Sequence, residues 1–194
     1  MKVLFKLLDQ IEETLGHSPH PAIVAVPLGG WTVSTICDAL GLVTDQPAYD
    51  DAARLSMGIG LVGAAGAILT GLHDYSYIPR DRPTHDIATS HATCMAIATT
   101  LFGASFVLRE RPHQTASGPG WTARALALSG LGAALYGAYL GGVLVEEYGE
   151  AVKPVIRQQK KEKEELDREK ARAQVLAEPA RELHERTQAP GGQT

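Results

Sequence analysis

Four long stretches of this chain contain no Asp, Glu, Lys or Arg, and they limit its fold more than any other feature. They are residues 21–37, 55–72, 87–108 and 125–145, with lengths of 17, 18, 22 and 21 residues. A membrane-spanning helix needs roughly 20 predominantly apolar residues, with about 17 as the lower limit. A surface helix of a soluble protein would carry a charged stripe, and these stretches carry none. The sequence therefore predicts an all-α protein built on a bundle of four transmembrane helices.

The net charge of −4 hides an uneven distribution of charged residues. Ten of the 18 Lys and Arg and eleven of the 22 Asp and Glu follow residue 145. We therefore predict three parts: an amphipathic helix at 1–16, a transmembrane domain at 17–149 and a charged tail at 150–194. Because acidic and basic residues nearly balance, the chain lacks the basic surface of a nucleic-acid-binding protein, and we expect no nucleic-acid partner.

The two segments that flank the transmembrane domain both carry helical patterns. Near the N-terminus, the apolar residues with helical spacing are Leu4, Leu7, Leu8, Ile11 and Leu15. This spacing predicts an amphipathic helix in the membrane interface, with a partner-binding helix as the alternative. In the tail, opposite charges recur four residues apart between residues 158 and 186, which predicts a solvated helix, with a coiled coil as the alternative. Residues 189–194 are expected to be disordered.

Small residues are frequent in the predicted spans. In lipid, small residues let helix backbones approach closely, so they mark helix–helix contacts. Gly137 and Gly141 form a GxxxG pair, while Gly58, Gly60 and Gly63 match the GxGxxG fingerprint of dinucleotide-binding proteins. That fingerprint requires a preceding strand, whereas these glycines lie inside an apolar helical stretch. We therefore expect the glycines to pack helices tightly, with a further face for a partner subunit.

Basic residues flank the spans unequally, and this predicts the orientation. The side with both termini carries Lys2, Lys6, Arg80, Arg82 and the basic residues of the tail. The other side carries Arg54, Arg109, Arg111 and Arg124. Because cytoplasmic flanks are enriched in Lys and Arg, we expect both termini in the cytoplasm.

This topology brings five of the seven histidines to the membrane face that carries the termini. They are His17, His20, His73, His85 and His91. The carboxylates expected near them are Asp74, Glu146 and Glu147. An ionisable group at membrane depth is costly and usually faces the bundle interior. The histidines are therefore the main candidates for a functional site.

Neutral imidazoles on two facing helices are the minimal set for axial ligation of a b-type haem. His20 and His91 are the preferred pair, with His73 and His85 as substitutes. Alternatively, His20, His91 and Asp74 hold a zinc or iron ion, or the same groups relay protons to a quinone. A further interpretation needs no cofactor: histidines near headgroups often bond backbone carbonyls, loop termini or lipid phosphates.

Other polar residues in the spans indicate structure rather than catalysis. Cys37 and Cys94 lie far apart without CxxC spacing, which excludes a disulfide scaffold and a cysteine-rich metal site. The serines of the spans lack the strand and elbow of a hydrolase nucleophile, so no catalytic residue is predicted. Asp38, near the far end of the first span, is expected to cap a helix or to pair with Arg54 or Arg109.

Several of these elements together resemble one known family. They are His20-Pro21, Pro27-Leu28-Gly29, Asp38, Gly71-x-x-Asp74, His91, Arg109 and the closing Leu140-Gly-Gly-Val-Leu-Val-x-x-x-Gly149. The pattern is similar to that of the bacterial membrane proteins grouped as domain of unknown function 2231, over about residues 17–153. The opening element, His20-Pro21 with Pro27-Leu28-Gly29, and the closing element that begins at Leu140 are fairly specific for this family when they occur together.

The resemblance implies a four-helix inner-membrane domain, whose relatives sometimes occur joined to Rieske-type iron–sulfur domains. It therefore implies electron transfer, as does a distant likeness to haem-binding four-helix cytochromes. The family often has a histidine before the last glycine of its closing element, where this chain has Tyr148. Because the chain has no iron–sulfur cysteines of its own, a redox partner would be a separate protein.

We therefore expect an integral inner-membrane protein that is a subunit or anchor of a membrane complex, linked to redox chemistry by a b-type haem. Its expected partners are the lipid bilayer, other subunits of the complex and a separate iron–sulfur protein. The alternative is a cofactor-free scaffold that binds partners through small-residue helix faces and the charged tail.

Overall fold

The structure is a computed structural model that describes residues 2–110, 119–150 and 164–174. The helices of its first two ranges are α1 (Lys2–Leu15), α2 (His20–Ile23), α3 (Ala25–Thr44), α4 (Pro47–Tyr75), α5 (Pro83–Glu110) and α6 (Trp121–Glu146). Residues 164–174 form a separate helical segment with exposed side chains. The all-α fold class is confirmed. The rest of the predicted tail helix and the segment 189–194 lie outside the described residues.

Within the part of the chain that the structure describes, four helices are long and apolar enough to cross a membrane, as predicted. They are His20–Thr44, which joins α2 and α3, and Pro47–Tyr75, Pro83–Arg109 and Trp121–Glu146. At 25 to 29 residues each, they extend about 38 to 44 Å, more than the roughly 30 Å of a hydrocarbon core. The ends of these helices therefore reach the headgroup region, where polar side chains are tolerated.

A proline divides the first span into α2 and α3. Pro27 has no backbone N–H, and its ring clashes with the carbonyl four residues earlier, which belongs to Ile23. The helical hydrogen bonds resume where Leu28 donates to the Val24 carbonyl at 3.3 Å. His20 therefore begins a short helical turn of its own before the main part of the span.

The spans form an up-and-down bundle of two antiparallel hairpins. Contacts are most extensive between α3 and α4 and between α5 and α6, while the contacts of α4 with α5 and of α3 with α6 are fewer. Large apolar side chains on all four spans are exposed, including Leu55, Val62, Leu128 and Tyr139. An outer surface of this kind is suited to contact with lipid.

The glycines of the false dinucleotide motif pack helices, as expected. At the centre of the bundle, Trp31 on α3 stacks on Phe102 of α5 with ring centroids 4.6 Å apart. A Cβ atom on Gly60 would lie 2.6 Å from Cδ1 of Trp31, and one on Gly63 would lie 2.5 Å from Cγ1 of Val26. Gly60 and Gly63 therefore leave room for side chains of the first span, which lets α3 lie close to α4.

Substitution of Gly60 by alanine tests this packing. Because the added methyl group overlaps the buried Trp31 ring, Gly60→Ala should destabilise the bundle by about 1–3 kcal/mol. Gly132 on α6 is the matched control, since a Cβ atom there meets no atom within 4 Å. Thermal unfolding in detergent, followed by circular dichroism, should show a loss of stability for Gly60→Ala and no loss for Gly132→Ala. Equal effects of the two substitutions would contradict the packing argument.

Candidate functional site

His73, in the last turn of α4, is the most enclosed histidine among the described residues, with an exposed fraction of 1%. Its Nε2 atom lies 2.9 Å from Oδ1 of Asp9 on α1, and its Nδ1 atom lies 3.5 Å from Oδ1 of Asp74. The rings of Phe5 and Tyr77 pack edge-on against the imidazole, with centroids 5.3 and 5.2 Å away. His73 therefore joins α1 to the end of α4.

Asp9 accepts a second hydrogen bond at this contact. The Tyr77 hydroxyl donates to the same oxygen, Oδ1, at 2.7 Å. This bond, followed by the one from His73, lowers the pKa of the Asp9 carboxyl below its usual value. For the same reason, the pKa of Tyr77 is raised by the neighbouring Asp9 carboxylate. Asp9 is therefore ionised at neutral pH and is held by two donors.

The contact defines how the amphipathic helix α1 lies on the domain. Leu8 is buried, while Val3, Leu7, Ile11 and Leu15, which lie on the same apolar face of α1, are exposed. An exposed apolar stripe beside a docked polar face fits a helix in the membrane interface. Its partial burial against α4 was not predicted from the periodicity.

A second set of hydrogen bonds connects Asp74 to His20. Ser18 Oγ donates to Asp74 Oδ2 at 2.7 Å, and the backbone N–H of His20 donates to the same Ser18 oxygen at 3.2 Å. The His20 ring lies against α4, where Nδ1 is 3.0 Å from Thr70 Oγ1. Because the Thr70 hydroxyl donates its proton to the Gly66 carbonyl at 3.0 Å, it accepts from His20. His20 Nδ1 therefore carries the ring proton, and a neutral ring has its lone pair on Nε2.

His91 is held in the same way in the other hairpin. Its Nδ1 lies 2.7 Å from the carbonyl oxygen of Gly137 on α6. A carbonyl only accepts hydrogen bonds, so Nδ1 is the donor and Nε2 of the neutral ring keeps its lone pair. Gly141 makes room for the ring, since a Cβ atom there would lie 3.1 Å from His91 Cε1.

The other histidines of this face have separate surroundings. His85 Nε2 lies 3.0 Å from the Tyr75 hydroxyl, which also contacts Thr89 Oγ1 at 2.9 Å. His17 is exposed, and its Nδ1 atom lies 2.9 Å from the backbone carbonyl oxygen of Ser18. Glu146 and Glu147, at the end of α6, are both exposed. The face thus holds several small groups of polar residues rather than one shared cluster.

One group has the spacing of metal ligands. The ligand atoms of Glu12, His73 and Asp74 lie within 4.8 Å of one another. Among the described residues, this is the group of three that meets that distance. It shares only Asp74 with the set predicted from sequence, in which His20 and His91 were the other two ligands.

Sequence reasoning did not identify the partners of these histidines. They are Asp9, Glu12, Ser18, Thr70 and Tyr77. Asp9 and Glu12 lie three residues apart, so a helix places them on one face, and this was the available signal. The sequence did not show which element this face contacts, because the docking of α1 on α4 depends on tertiary contacts.

The opposite end of the bundle holds a buried ionic network. Arg109 on α5 donates two hydrogen bonds to Asp38 on α3, the first from Nη1 to Oδ1 at 2.7 Å. Arg124 on α6 donates to Asp50 on α4 at 2.7 Å, and its Nε lies 3.9 Å from Asp38. The predicted pairing of Asp38 with Arg109 is confirmed. The network connects all four spans at this end.

Neutralising Asp38 tests the contribution of this network. Because Asp38→Asn leaves the buried Arg109 guanidinium without its counter-ion, we expect a loss of about 3 kcal/mol of stability. Asp45→Asn is the control, because Asp45 is exposed and has a φ of 52°, a conformation that asparagine tolerates. Chemical unfolding in detergent measures the free energy of unfolding of both variants. A loss for Asp38→Asn no larger than that for Asp45→Asn would refute a stabilising role.

Comparison with known proteins identifies a matching family. Its model is described as "Predicted membrane protein (DUF2231)", and it matches residues 16–154. This range contains the four spans and nearly coincides with the resemblance found in the sequence. No curated protein and no solved structure matches the chain.

Proposed function

This chain belongs to the DUF2231 family of predicted membrane proteins, and from that premise we propose that it is a subunit or anchor of a membrane complex with a redox role. In this proposal His20 and His91 bind a b-type haem between the two hairpins. The observation that carries it is their shared arrangement, in which each Nδ1 makes a hydrogen bond within its own hairpin. In a neutral ring whose Nδ1 is the donor, the lone pair lies on Nε2.

The donor set fits axial haem ligation. A ligating histidine almost always donates its other ring N–H to a carbonyl, carboxylate or water, which fixes the tautomer and raises the basicity of the ligand. The Gly137 carbonyl accepts this hydrogen bond from His91, and the Thr70 hydroxyl accepts it from His20. When bound, haem supplies a one-electron iron couple. The chain itself supplies oriented imidazoles in the half-buried part of the bundle.

The architecture also supports a ligand between the hairpins. Helices within each hairpin pack extensively, whereas contacts between the hairpins are fewer. His20 belongs to the first hairpin and His91 to the second, so a ligand bound by both residues would join the two hairpins. In a native bundle, a site of this kind is built from side chains of facing helices.

The substitute ligands are less suited to haem. Both nitrogens of His73 face carboxylates, and Nε2 of His85 contacts the Tyr75 hydroxyl. A haem iron on His73 would displace Asp9 or Asp74, and one on Nε2 of His85 would displace Tyr75. The local hydrogen bonds therefore favour His20 and His91 over His73 and His85.

An absorption spectrum tests the haem proposal. The full chain, purified in detergent from haem-replete cells, should show a Soret band and, after dithionite reduction, an α band. His20→Ala and His91→Ala should each abolish the low-spin spectrum, because each removes one axial ligand. His17→Ala is the matched control, since His17 is an exposed histidine at the same face, and it should keep the spectrum. Absence of both bands in the wild type would exclude the haem and favour the scaffold described next.

A cofactor-free scaffold is the second candidate, and a different observation favours it. Some glycines of the spans face open space, because a Cβ atom on them would meet nothing within 4 Å; they are Gly29, Gly103, Gly132 and Gly142. On the outside of a bundle, such positions allow another transmembrane helix to approach closely. The partners proposed for these faces are other subunits of a membrane complex, and the charged tail is the second binding element of the scaffold. A separate iron–sulfur protein is proposed as the redox partner only in the haem alternative.

We further propose that the protein lies in the bacterial inner membrane with both termini in the cytoplasm. An even number of spans puts both ends of the domain on the same side, and the basic residues near them support the cytoplasmic side. Arg80, in the loop after α4, would then be cytoplasmic, and Gln46, between α3 and α4, would face the opposite side.

Labelling of single cysteines tests this orientation. Both positions are exposed, so Gln46→Cys and Arg80→Cys are matched reporters in a chain whose Cys37 and Cys94 are replaced by alanine. A membrane-impermeant maleimide added to spheroplasts should label Gln46→Cys directly and Arg80→Cys only after permeabilisation. The reverse pattern would show that the termini lie outside the cytoplasm.

A further inference from the structure

The imidazole of His73 lies between two carboxylates but has only one proton when it is neutral. Nε2 is 2.9 Å from Asp9 Oδ1, a normal hydrogen-bond distance, so the proton belongs on this side. Nδ1 then presents a lone pair to Asp74 Oδ1, which lies 3.5 Å away and can also only accept. Two acceptors that face each other in a buried place need a cation between them, either a proton or a metal ion.

The spacing of the two atoms favours a metal ion over a shared proton. A hydrogen bond between a ring nitrogen and a carboxylate is usually about 2.7–2.9 Å long. Two ligands on one tetrahedral ion, with bonds of about 2.1 Å, lie about 3.4 Å apart. The observed 3.5 Å between Nδ1 of His73 and Oδ1 of Asp74 matches the second value.

Glu12 completes a set of three ligands. It lies one turn after Asp9 on α1, is half-buried, and has a carboxylate oxygen within 4.8 Å of the ligand atoms of His73 and Asp74. A small movement of this flexible side chain would bring its oxygen to coordination distance. A histidine nitrogen with two carboxylates suits zinc, iron or manganese, and three protein ligands leave a position for water.

We propose that Glu12, His73 Nδ1 and Asp74 bind one divalent transition-metal ion, which fastens α1 to the end of α4. The outer contacts that such a site needs are already present. Asp9 accepts from Nε2 of His73, which forms a carboxylate–histidine–metal arrangement, and Ser18 Oγ donates to the other oxygen of Asp74. This site is separate from the proposed haem ligands, since it uses neither His20 nor His91.

Zinc titration of the full chain tests the site. Protein in detergent is stripped with EDTA, and Zn²⁺ is added in competition with a chromophoric chelator. We expect one equivalent bound by the wild type, and an affinity reduced at least about 100-fold in Glu12→Gln and in Asp74→Asn. Asp9→Asn should reduce the affinity about 10–100-fold, as loss of an outer partner does. Glu13→Gln is the matched control, since Glu13 is the exposed neighbour of Glu12 on the same helix.

The control and a second measurement separate this site from other zinc binding. Glu13→Gln and His91→Ala should bind zinc with the affinity of the wild type. Because His91→Ala is expected to lose the haem spectrum but to keep zinc binding, failure of one proposal can be told from failure of the other. Hydrogen exchange of α1 should slow when zinc is added to the wild type but not to Glu12→Gln. Absence of the bound equivalent, equal affinities of Glu12→Gln and Glu13→Gln, or unchanged exchange in α1 would overturn the proposal.

Discussion

The hydrocarbon core of the membrane offers no water to a polar group, and this constraint determines most of the structure. Every backbone N–H and C=O must find its partner within the segment, so the spans are helices. Charged side chains are expensive at this depth. The contacts between ionisable side chains of the described spans therefore lie near the helix ends, with Asp38 and Arg109 at one end and His73 and Asp74 at the other. The polar side chains are therefore confined to two layers near the ends of the helices, because the lipid between these layers cannot solvate them.

The same constraint explains why glycine contributes to both packing and the candidate site. Helices in lipid gain little from burying large apolar side chains, so they associate through close backbone approach. Gly60 accommodates Trp31 in this way at the centre of the bundle. At the histidine face, Gly71 and Gly141 accommodate the rings of His20 and His91. Close packing of helix pairs thus also fixes the orientation of the two imidazoles.

The sequence was informative where a property depends on local composition or on depth in the membrane. The four spans follow from charge-free stretches, and Asp38 and Arg109 could be paired because both lie near the same end of their helices. The histidines could be assigned to one face by counting spans. Their individual partners could not, because the contact of His73 with Asp9 depends on how α1 docks. A helical period shows which residues of α1 share a face, but not which element that face meets.

The two polar ends of the bundle differ in the kinds of ionisable side chain that they hold. At one end, Asp38 and Asp50 are paired with Arg109 and Arg124, two charges of each sign, and guanidinium groups do not lose their protons at any physiological pH. Such a network stabilises the bundle and has little capacity to respond to its surroundings. The other end combines carboxylates with imidazoles, and His73 there faces both Asp9 and Asp74. An imidazole nitrogen can bind iron or zinc, which a guanidinium group cannot, and for this reason our haem and metal proposals both draw their ligands from this end.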